Sequence, residues 1–126
     1  MSGFSFDTNI LIDALKGLAP AKEEIQRAAG LTGRVWISRM VWIEVMSKGA
    51  PEALKRTEQF LSGFVVDEVD AEIGVRAAAL RRERPRLKSL DAIILATAQT
   101  RGRVLITRNT KDFPAQLPGI RVPYTL

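Results

Sequence analysis

Residues Phe4–Ile12, which read FSFDTNILI, carry the pattern from which the fold class is predicted. Its first apolar residues predict a short buried strand near Gly3–Phe6, and the residues from about Thr8 to Leu15 predict a helix that follows at once. A strand that runs directly into a helix is the building unit of α/β proteins with parallel sheets. Asp7 lies at the junction, between the carboxyl end of the strand and the amino end of the helix.

Short apolar runs alternate with amphipathic segments along the rest of the chain. Further strands are predicted at 35–37, 64–66 and 104–106, with a short edge strand at 121–122. Further helices are predicted at 20–29, 38–48, 51–62, 70–84 and 89–101, with Ser38 and Ser89 as N-caps. We therefore predict a single α/β domain over residues 1–126, with a central, mostly parallel sheet flanked by helices.

The amino-acid composition excludes several classes of catalytic site. The 126 residues are 46% hydrophobic and 26% charged, which is typical of a globular domain. The absence of cysteine and histidine excludes disulfides, thiolate nucleophiles and serine triads. No apolar run reaches the roughly 18 residues of a membrane span, and the N-terminus lacks a signal-peptide pattern. We expect a cytoplasmic protein without membrane contact.

Three acidic residues interrupt the most apolar stretches of the chain. They are Asp7 in FSFDTNILI, Glu44 in VWIEVM and Asp91 in LDAIILA. A carboxylate taken out of water is costly unless it is paired, protonated or bound to a metal. Each also has an ordinary structural interpretation: Asp7 as a helix N-cap, Glu44 as a surface partner of Lys48, and Asp91 as a first-turn acid that favours the helix dipole.

The predicted topology brings these acids towards one place. Ligands of open parallel sheets bind beyond the carboxyl ends of the strands. Asp7 follows the first strand, Glu44 lies in the helix after another, and Asn109 and Asp112 follow a late strand. Oxygen donors without histidine or cysteine favour Mg²⁺ or Mn²⁺. The sequence therefore predicts a metal-dependent hydrolase of phosphate esters.

Positive charge outside the predicted pocket suits a polyanionic substrate. Lys and Arg number 19 against 14 Asp and Glu, a net charge of +5. We predict that Arg82, Arg84, Arg86 and Arg108 bind the substrate backbone. The alternative for the cluster at 81–88 is a solvated helix end whose cations favour the helix dipole.

Taken together, the motifs resemble those of the PIN-domain ribonucleases, most closely the VapC-type toxins of toxin–antitoxin pairs. The resemblance rests on Asp7-Thr8-Asn9 after a strand, Glu44 within a helix, Asp91 at the start of a helix, and Thr107-Arg108-Asn109 followed by Asp112-Phe113. It covers nearly the whole chain in length, motif order and spacing.

The resemblance implies a PIN-like fold and an endoribonuclease that uses Mg²⁺ or Mn²⁺ to activate a water molecule. It further implies RNA as substrate, a cognate antitoxin as partner, and a homodimer. The implied catalytic acids are Asp7, Glu44, Asp91 and Asp112, with Asp7 and Asp91 as the most direct metal ligands. The implied auxiliary residues are Thr8, Asn9, Thr107 and Asn109.

Two alternatives remain open at this point. A phospho-acceptor receiver module has an acidic pair after its first strand and a late lysine, whereas this chain has only Asp7 and Arg108 at those places. The other alternative is a PIN-like module of weak or absent activity that binds nucleic acid or an antitoxin. Asn109 stands where many PIN domains carry an acid, which keeps this alternative open.

Overall fold

A computed structural model describes residues 3–114 and 116–126. The strands in this part are β1 (Phe4–Phe6), β2 (Trp36–Ser38), β3 (Val65–Asp67), β4 (Val104–Ile106) and β5 (Ile120–Arg121). The helices are α1 (Thr8–Leu15), α2 (Ala19–Thr32), α3 (Arg39–Met46), α4 (Leu54–Leu61), α5 (Ala71–Glu83) and α6 (Ser89–Thr100). A 3₁₀ turn at Pro51–Ala53 precedes α4.

The strands form one sheet in the order β3-β2-β1-β4-β5, and each pairing within it is parallel. The predicted α/β fold is therefore confirmed. Because β1 is central and its neighbours β2 and β4 run the same way, the residues after these three strands emerge at one edge. Asp7 directly follows β1, Ser38 is the last residue of β2, and Thr107 directly follows β4.

Buried apolar side chains from both the strands and the helices form the core. Phe6, Ile37, Leu105 and Ile106 of the sheet are fully buried, together with Ile10 and Leu11 of α1 and Ile94 and Leu95 of α6. Helix α6 contacts β2, β4, α3 and α5, and α1 contacts α2 and α3. The apolar residues of FSFDTNILI are thus buried on both sides of Asp7.

Two local predictions need correction. Ser89 does not cap α6: it is the first helical residue, Lys88 occupies the N-cap position, and no side chain makes a capping bond there. The segment after Pro51 is not a single helix, since it begins as a 3₁₀ turn. Ser38, in contrast, does cap α3, because its hydroxyl accepts a hydrogen bond from the Met40 amide at 3.1 Å.

No helix within the described residues combines the length and apolar character that crossing a bilayer requires.

Candidate active site at the carboxyl edge of the sheet

Asp7 is fixed between β1 and α1. It is the N-cap of α1, with extended backbone angles of φ −76° and ψ 158°, and its Oδ1 accepts a hydrogen bond from the Thr8 amide at 2.8 Å. Its Oδ2 accepts a second bond at 2.7 Å from the hydroxyl of Thr107, which directly follows β4. The side-chain amide of Asn9 also donates to this oxygen, at 3.4 Å. The capping role is real, but it engages only one of the two carboxylate oxygens.

Glu44 reaches the same place from α3. Its Oε1 accepts a hydrogen bond from the Thr8 hydroxyl at 2.6 Å. In the described part of the chain, no ion pair joins Glu44 to Lys48, although both side chains line the same cleft. The surface ion pair that the sequence left open is therefore not formed.

Asp91 lies in the first turn of α6 and is partly buried. Its pKa is raised to about 6, chiefly by burial and also by the negative charges of Asp112, Asp7 and Glu44, while Lys88 opposes the shift. The pKa of Asp7 is raised as well, chiefly by burial, against the hydrogen bonds of Thr107 and Thr8. These acids are therefore close enough to repel one another.

Asp112 is oriented by the turn that follows β4. The Asn109 side chain donates to Asp112 Oδ2 at 2.9 Å and accepts from the Asp112 amide at 3.3 Å. The Asn109 amide in turn donates to the Thr107 hydroxyl oxygen at 2.9 Å. A short chain of hydrogen bonds thus connects Asp112 through Asn109 and Thr107 to Asp7.

We call the resulting depression the acidic cleft. It has a volume of about 290 Å³, and its walls are formed by Asp7, Thr8, Asn9, Ile12, Glu44, Lys48, Asp91, Arg108 and Asn109. Asp112 lines an adjacent cleft of about 130 Å³, which we call the basic cleft, together with Arg84, Arg86, Leu87, Lys111 and Pro114. The predicted acids therefore meet at one edge of the sheet and not on separate faces.

The donor chemistry of the acidic cleft suits a hard divalent cation. Its walls offer carboxylate, hydroxyl and amide oxygens, the ligands that Mg²⁺ and Mn²⁺ prefer. Among residues 3–114 and 116–126, however, no three acidic side chains are arranged as a ready-made metal site. The oxygen ligands of the acidic cleft, and the repulsion between its carboxylates, nevertheless fit a divalent cation.

The predicted substrate-binding arginines are divided among three places. Arg84 and Arg86 line the basic cleft beside Asp112. Arg82 lines a separate hollow with Arg81 and Pro85, away from the acids. Arg108 lines the acidic cleft itself, but two of its nitrogens bind Asp13, at 2.6 and 3.0 Å.

Comparison with known proteins identifies the family. A family model described as PIN domain matches residues 5–115, which include all of the predicted acids. The chain belongs to the PIN domain family. This match favours the PIN-domain interpretation over the receiver-module alternative.

Curated relatives and solved structures place this PIN domain among the VapC-type proteins. It is 30% identical over 97% of both chains to a protein of Salmonella typhimurium named tRNA(fMet)-specific endonuclease VapC. It is 30% identical to Ribonuclease VapC19 of Mycobacterium tuberculosis, over 94% of this chain and 97% of that protein. A toxin–antitoxin complex from Klebsiella pneumoniae matches with 44% identity and a TM-score of 0.87, over 97% of this chain and 98% of that one.

This VapC-type PIN domain contains a side-chain network that sequence reasoning missed. Asp13 is buried in α1 and accepts hydrogen bonds from Arg108 and from the Tyr124 hydroxyl at 2.7 Å. One signal was present in the sequence: Asp13 also interrupts an apolar stretch, Leu11-Ile12-Asp13-Ala14-Leu15. Its partners lie 95 and 111 residues away, so no local pattern identifies them.

Proposed function

We propose that this chain is a Mg²⁺- or Mn²⁺-dependent endoribonuclease that hydrolyses RNA phosphodiester bonds with an activated water molecule, as the toxin of a toxin–antitoxin pair. The observation that carries the proposal is the meeting of Asp7, Glu44 and Asp91 in one cleft, with Asp112 beside it. The names of the related proteins, which include an endonuclease and a ribonuclease, support the same activity.

Asp7 and Asp91 are the proposed direct metal ligands, and Glu44 and Asp112 complete the acidic set. A bound divalent cation supplies Lewis-acid chemistry: it lowers the pKa of a water molecule and stabilises negative charge on the phosphate. The raised pKa values of Asp7 and Asp91 support this assignment, because uncompensated carboxylates at close range favour cation binding. Because water is the proposed nucleophile, no protein nucleophile is required, which agrees with the absence of cysteine and histidine.

The auxiliary residues hold the acids in place. The Thr8 amide and the Thr107 hydroxyl donate to the two oxygens of Asp7, and the Thr8 hydroxyl donates to Oε1 of Glu44, so both carboxylates are held in a fixed orientation. Asn109 plays the same part for Asp112. Asn9 lies near Asp7 Oδ2 and also accepts a hydrogen bond from the Arg108 amide at 3.4 Å. In this proposal these residues orient ligands and contact no substrate atom that reacts.

The RNA backbone crosses the acids between basic residues on either side. Arg84, Arg86 and Lys111 of the basic cleft are exposed beside Asp112 and are available to phosphates. Arg108 and Lys48 are on the wall of the acidic cleft. Arg82 lies further out, in the hollow with Arg81, and is proposed to contact a more distant phosphate. Such contacts carry affinity but no base sequence.

The proposed antitoxin occupies an apolar groove next to the acidic cleft. The groove consists of two hollows of about 340 and 360 Å³ that share Leu15 and Arg56, and the first of them shares Ile12 and Lys48 with the acidic cleft. Further lysines at 16 and 22 line it. An amphipathic segment with apolar and acidic side chains fits such a surface. Co-purification with the product of an adjacent reading frame, and its loss in Leu15→Glu, tests this placement.

A homodimer is the remaining proposed partnership. Val75 of α5 and Leu90 of α6 are 70% and 45% exposed, which makes them apolar side chains available to a second copy. Sedimentation of the unsubstituted chain and of Val75→Glu tests whether this surface is an interface. A monomer for both proteins would rule it out.

The proposed activity is tested with purified protein and labelled RNAs of several classes. We expect cleavage with Mg²⁺ or Mn²⁺, no cleavage with EDTA, and a large loss of cleavage for Asp7→Asn. Glu68→Gln is the control, because Glu68 is an exposed acid paired with Arg39 outside the acidic cleft. Cleavage that persists in EDTA would refute the proposal. Tight binding without turnover for every RNA and metal would support the inactive binding module instead.

A further inference from the structure

Arg108 occupies an unusual position in the wall of the acidic cleft. It follows Thr107, which donates to Asp7, and precedes Asn109, which binds Asp112. Its guanidinium is nonetheless directed to a different carboxylate: Nε and Nη2 donate to the two oxygens of Asp13 at 2.6 and 3.0 Å. This forked pairing fixes the plane of the guanidinium.

Asp13 is itself held from a third direction. Its carboxylate is almost fully buried in α1 and accepts a further hydrogen bond from the Tyr124 hydroxyl, beyond β5 near the C-terminus. The hydrogen bonds of Arg108 are the largest cause that lowers the pKa of Asp13, so this acid is ionised at neutral pH. Asp13 and Tyr124 together brace Arg108.

The ion pair with Asp13 also determines whether Arg108 acts on the acidic cleft through its charge or through its hydrogen-bond geometry. Because the charge of Asp13 largely cancels that of Arg108, the pair adds little net field to the neighbouring acids. What Arg108 can contribute is therefore directional. Nε and Nη2 are paired with Asp13, the Tyr124 hydroxyl also lies close to the guanidinium, Nη1 is not part of the Asp13 pairing, and the side chain is 30% exposed on the cleft wall. A fixed guanidinium with an N–H edge outside this pairing suits a phosphate oxygen.

We infer that Asp13 and Tyr124 are positioning residues that hold Arg108 so that its Nη1 binds an RNA phosphate at the edge of the acidic cleft. This inference rests on the proposed function and adds two residues to it. The bland alternative is that the trio only ties α1 to the segments that follow β4 and β5. The chain offers a matched case of that kind: Arg121 binds buried Glu24 through Nε and Nη2, but lines no part of the cleft.

The test measures RNA binding separately from cleavage. All variants are made in an Asp91→Asn background, with Mg²⁺ present, and an unstructured, fluorescently labelled single-stranded RNA is titrated at several salt concentrations. Arg108→Ala is expected to bind about tenfold more weakly, and the slope of log affinity against log salt to become shallower by about 0.7. Arg121→Ala is expected to change the affinity less than about twofold. It is expected to change the salt slope by less than about 0.2.

The brace is tested by two further variants. Tyr124→Phe is expected to weaken binding about threefold without a change in salt slope, because it removes one hydroxyl and no charge. Asp13→Asn is expected to weaken binding although it makes the protein more positive, whereas charge alone predicts tighter binding. In an Arg108→Ala background, Tyr124→Phe is expected to have no further effect, since it acts through Arg108.

Several outcomes overturn the inference. They are unmeasurable binding, equal effects of Arg108→Ala and Arg121→Ala, and a Tyr124→Phe effect that persists without Arg108. If Asp13→Asn does not fold, Tyr124→Phe still decides the case. Cleavage by the unsubstituted chain is assayed separately: absent cleavage with the expected binding pattern refutes the proposed function alone, and normal cleavage with unchanged binding by Arg108→Ala refutes this inference alone.

Discussion

Two groups of buried or partly buried carboxylates in this protein differ in what surrounds them. Asp67 and Glu24 lie against arginines: Arg103 binds both oxygens of Asp67 at 2.8 and 3.0 Å, and Arg27 and Arg121 both bind Glu24. At the edge of the sheet, Asp7 and Glu44 are instead held by threonine hydroxyls. Among the described residues, arginines thus pair with the structural acids Asp67 and Glu24, whereas neither Asp7 nor Glu44 forms an ion pair.

The difference has an electrostatic consequence. Burial alone raises the pKa of Glu24, but the hydrogen bonds of Arg27 and Arg121 outweigh it and lower the pKa below its usual value. Burial raises the pKa of Asp91 in the same way, and there the neighbouring acids add to the rise. An acid with an arginine partner is stable as a charge, whereas the acids of the cleft need a cation that the protein itself does not supply. The predictions below test this contrast.

The largest expected effect is on catalysis. Asp7→Asn keeps an oxygen for the Thr107 hydroxyl but removes the charge, so we expect RNA cleavage to fall about 10³-fold, equivalent to roughly 4 kcal/mol of barrier. Initial rates on labelled RNA measure the loss. The melting temperature is expected to stay the same or rise, because a repelling charge has gone. A variant that cleaves as fast as the unsubstituted chain would remove Asp7 from the site.

The opposite pattern is expected for an acid of the structural group. Asp67→Ala removes the carboxylate from a buried pair, and we expect the free energy of unfolding to fall by about 3 kcal/mol. We use the low end of the range because Arg103 also stacks on the ring of Trp36, 3.3 Å from its centroid. Urea unfolding measures the change, and RNA cleavage by the folded variant is expected to persist.

Glu68→Ala provides the control for that measurement. Its pair with Arg39 is exposed and screened by solvent, so the free energy of unfolding is expected to change far less than in Asp67→Ala. Equal losses for Asp67→Ala and Glu68→Ala would contradict the distinction between buried and exposed pairs.

The same contrast explains how far the sequence alone was informative. Asp7, Glu44 and Asp91 were predicted because each interrupts an apolar run, and because the carboxyl ends of parallel strands share an edge. The first signal is local and the second follows from topology, so both can be recognised in the sequence alone. The fold followed for the same reason, since each short apolar run could be assigned to a strand.

Pairings between distant side chains were not predictable. Nothing near Asp13 in the sequence indicates that Arg108 and Tyr124 will bind it, and nothing near Asp67 indicates Arg103. Which acid receives an arginine depends on the approach of side chains from separate elements. The predicted role of Arg108 as a simple phosphate ligand accordingly overlooked Asp13. The start of α6 was misplaced by one residue because Ser89 has the chemistry of a cap but lies inside the helix.

A smaller effect on cleavage is expected from the loss of the Thr107 hydroxyl, which binds Asp7 in the way that an arginine binds each of the structural acids. Thr107→Val keeps the shape of a fully buried side chain but removes its donation to Asp7 and its acceptance from the Asn109 amide. We expect RNA cleavage to fall about tenfold, the effect of losing one hydrogen bond to a charged group. Thr97→Val is the control, because its buried hydroxyl bonds Ile93 and Ser38 outside the cleft. Equal loss of cleavage in both variants would contradict a specific role for Thr107.

The smallest effect is a shift in stability with pH, and it distinguishes the two groups of acids without any RNA. The pKa of Asp91 is about 6 in the folded protein, against an ordinary value of 3.8 for an aspartate in an unfolded chain. Between about pH 4 and pH 6 the folded state therefore binds more protons, and the free energy of unfolding falls as the pH rises. In EDTA we expect the melting temperature to drop by a few degrees across this interval.

Asp91→Asn sharpens the measurement, because it removes the group that titrates. We expect the variant in EDTA to melt at a higher temperature than the unsubstituted chain at pH 7, and its melting temperature to depend less on pH; the raised pKa of Asp7 leaves a residual slope. Asp13 and Glu24 have lowered pKa values and so lose stability as the pH falls at the acid end of this interval, but they do so equally in both proteins, and the difference between the two proteins isolates Asp91. Mn²⁺ at pH 7 should raise the melting temperature of the unsubstituted chain more than that of the variant. An equal change of melting temperature in both proteins between pH 4 and pH 6, or a variant less stable at pH 7, would mean that the charge of Asp91 is already compensated within the protein.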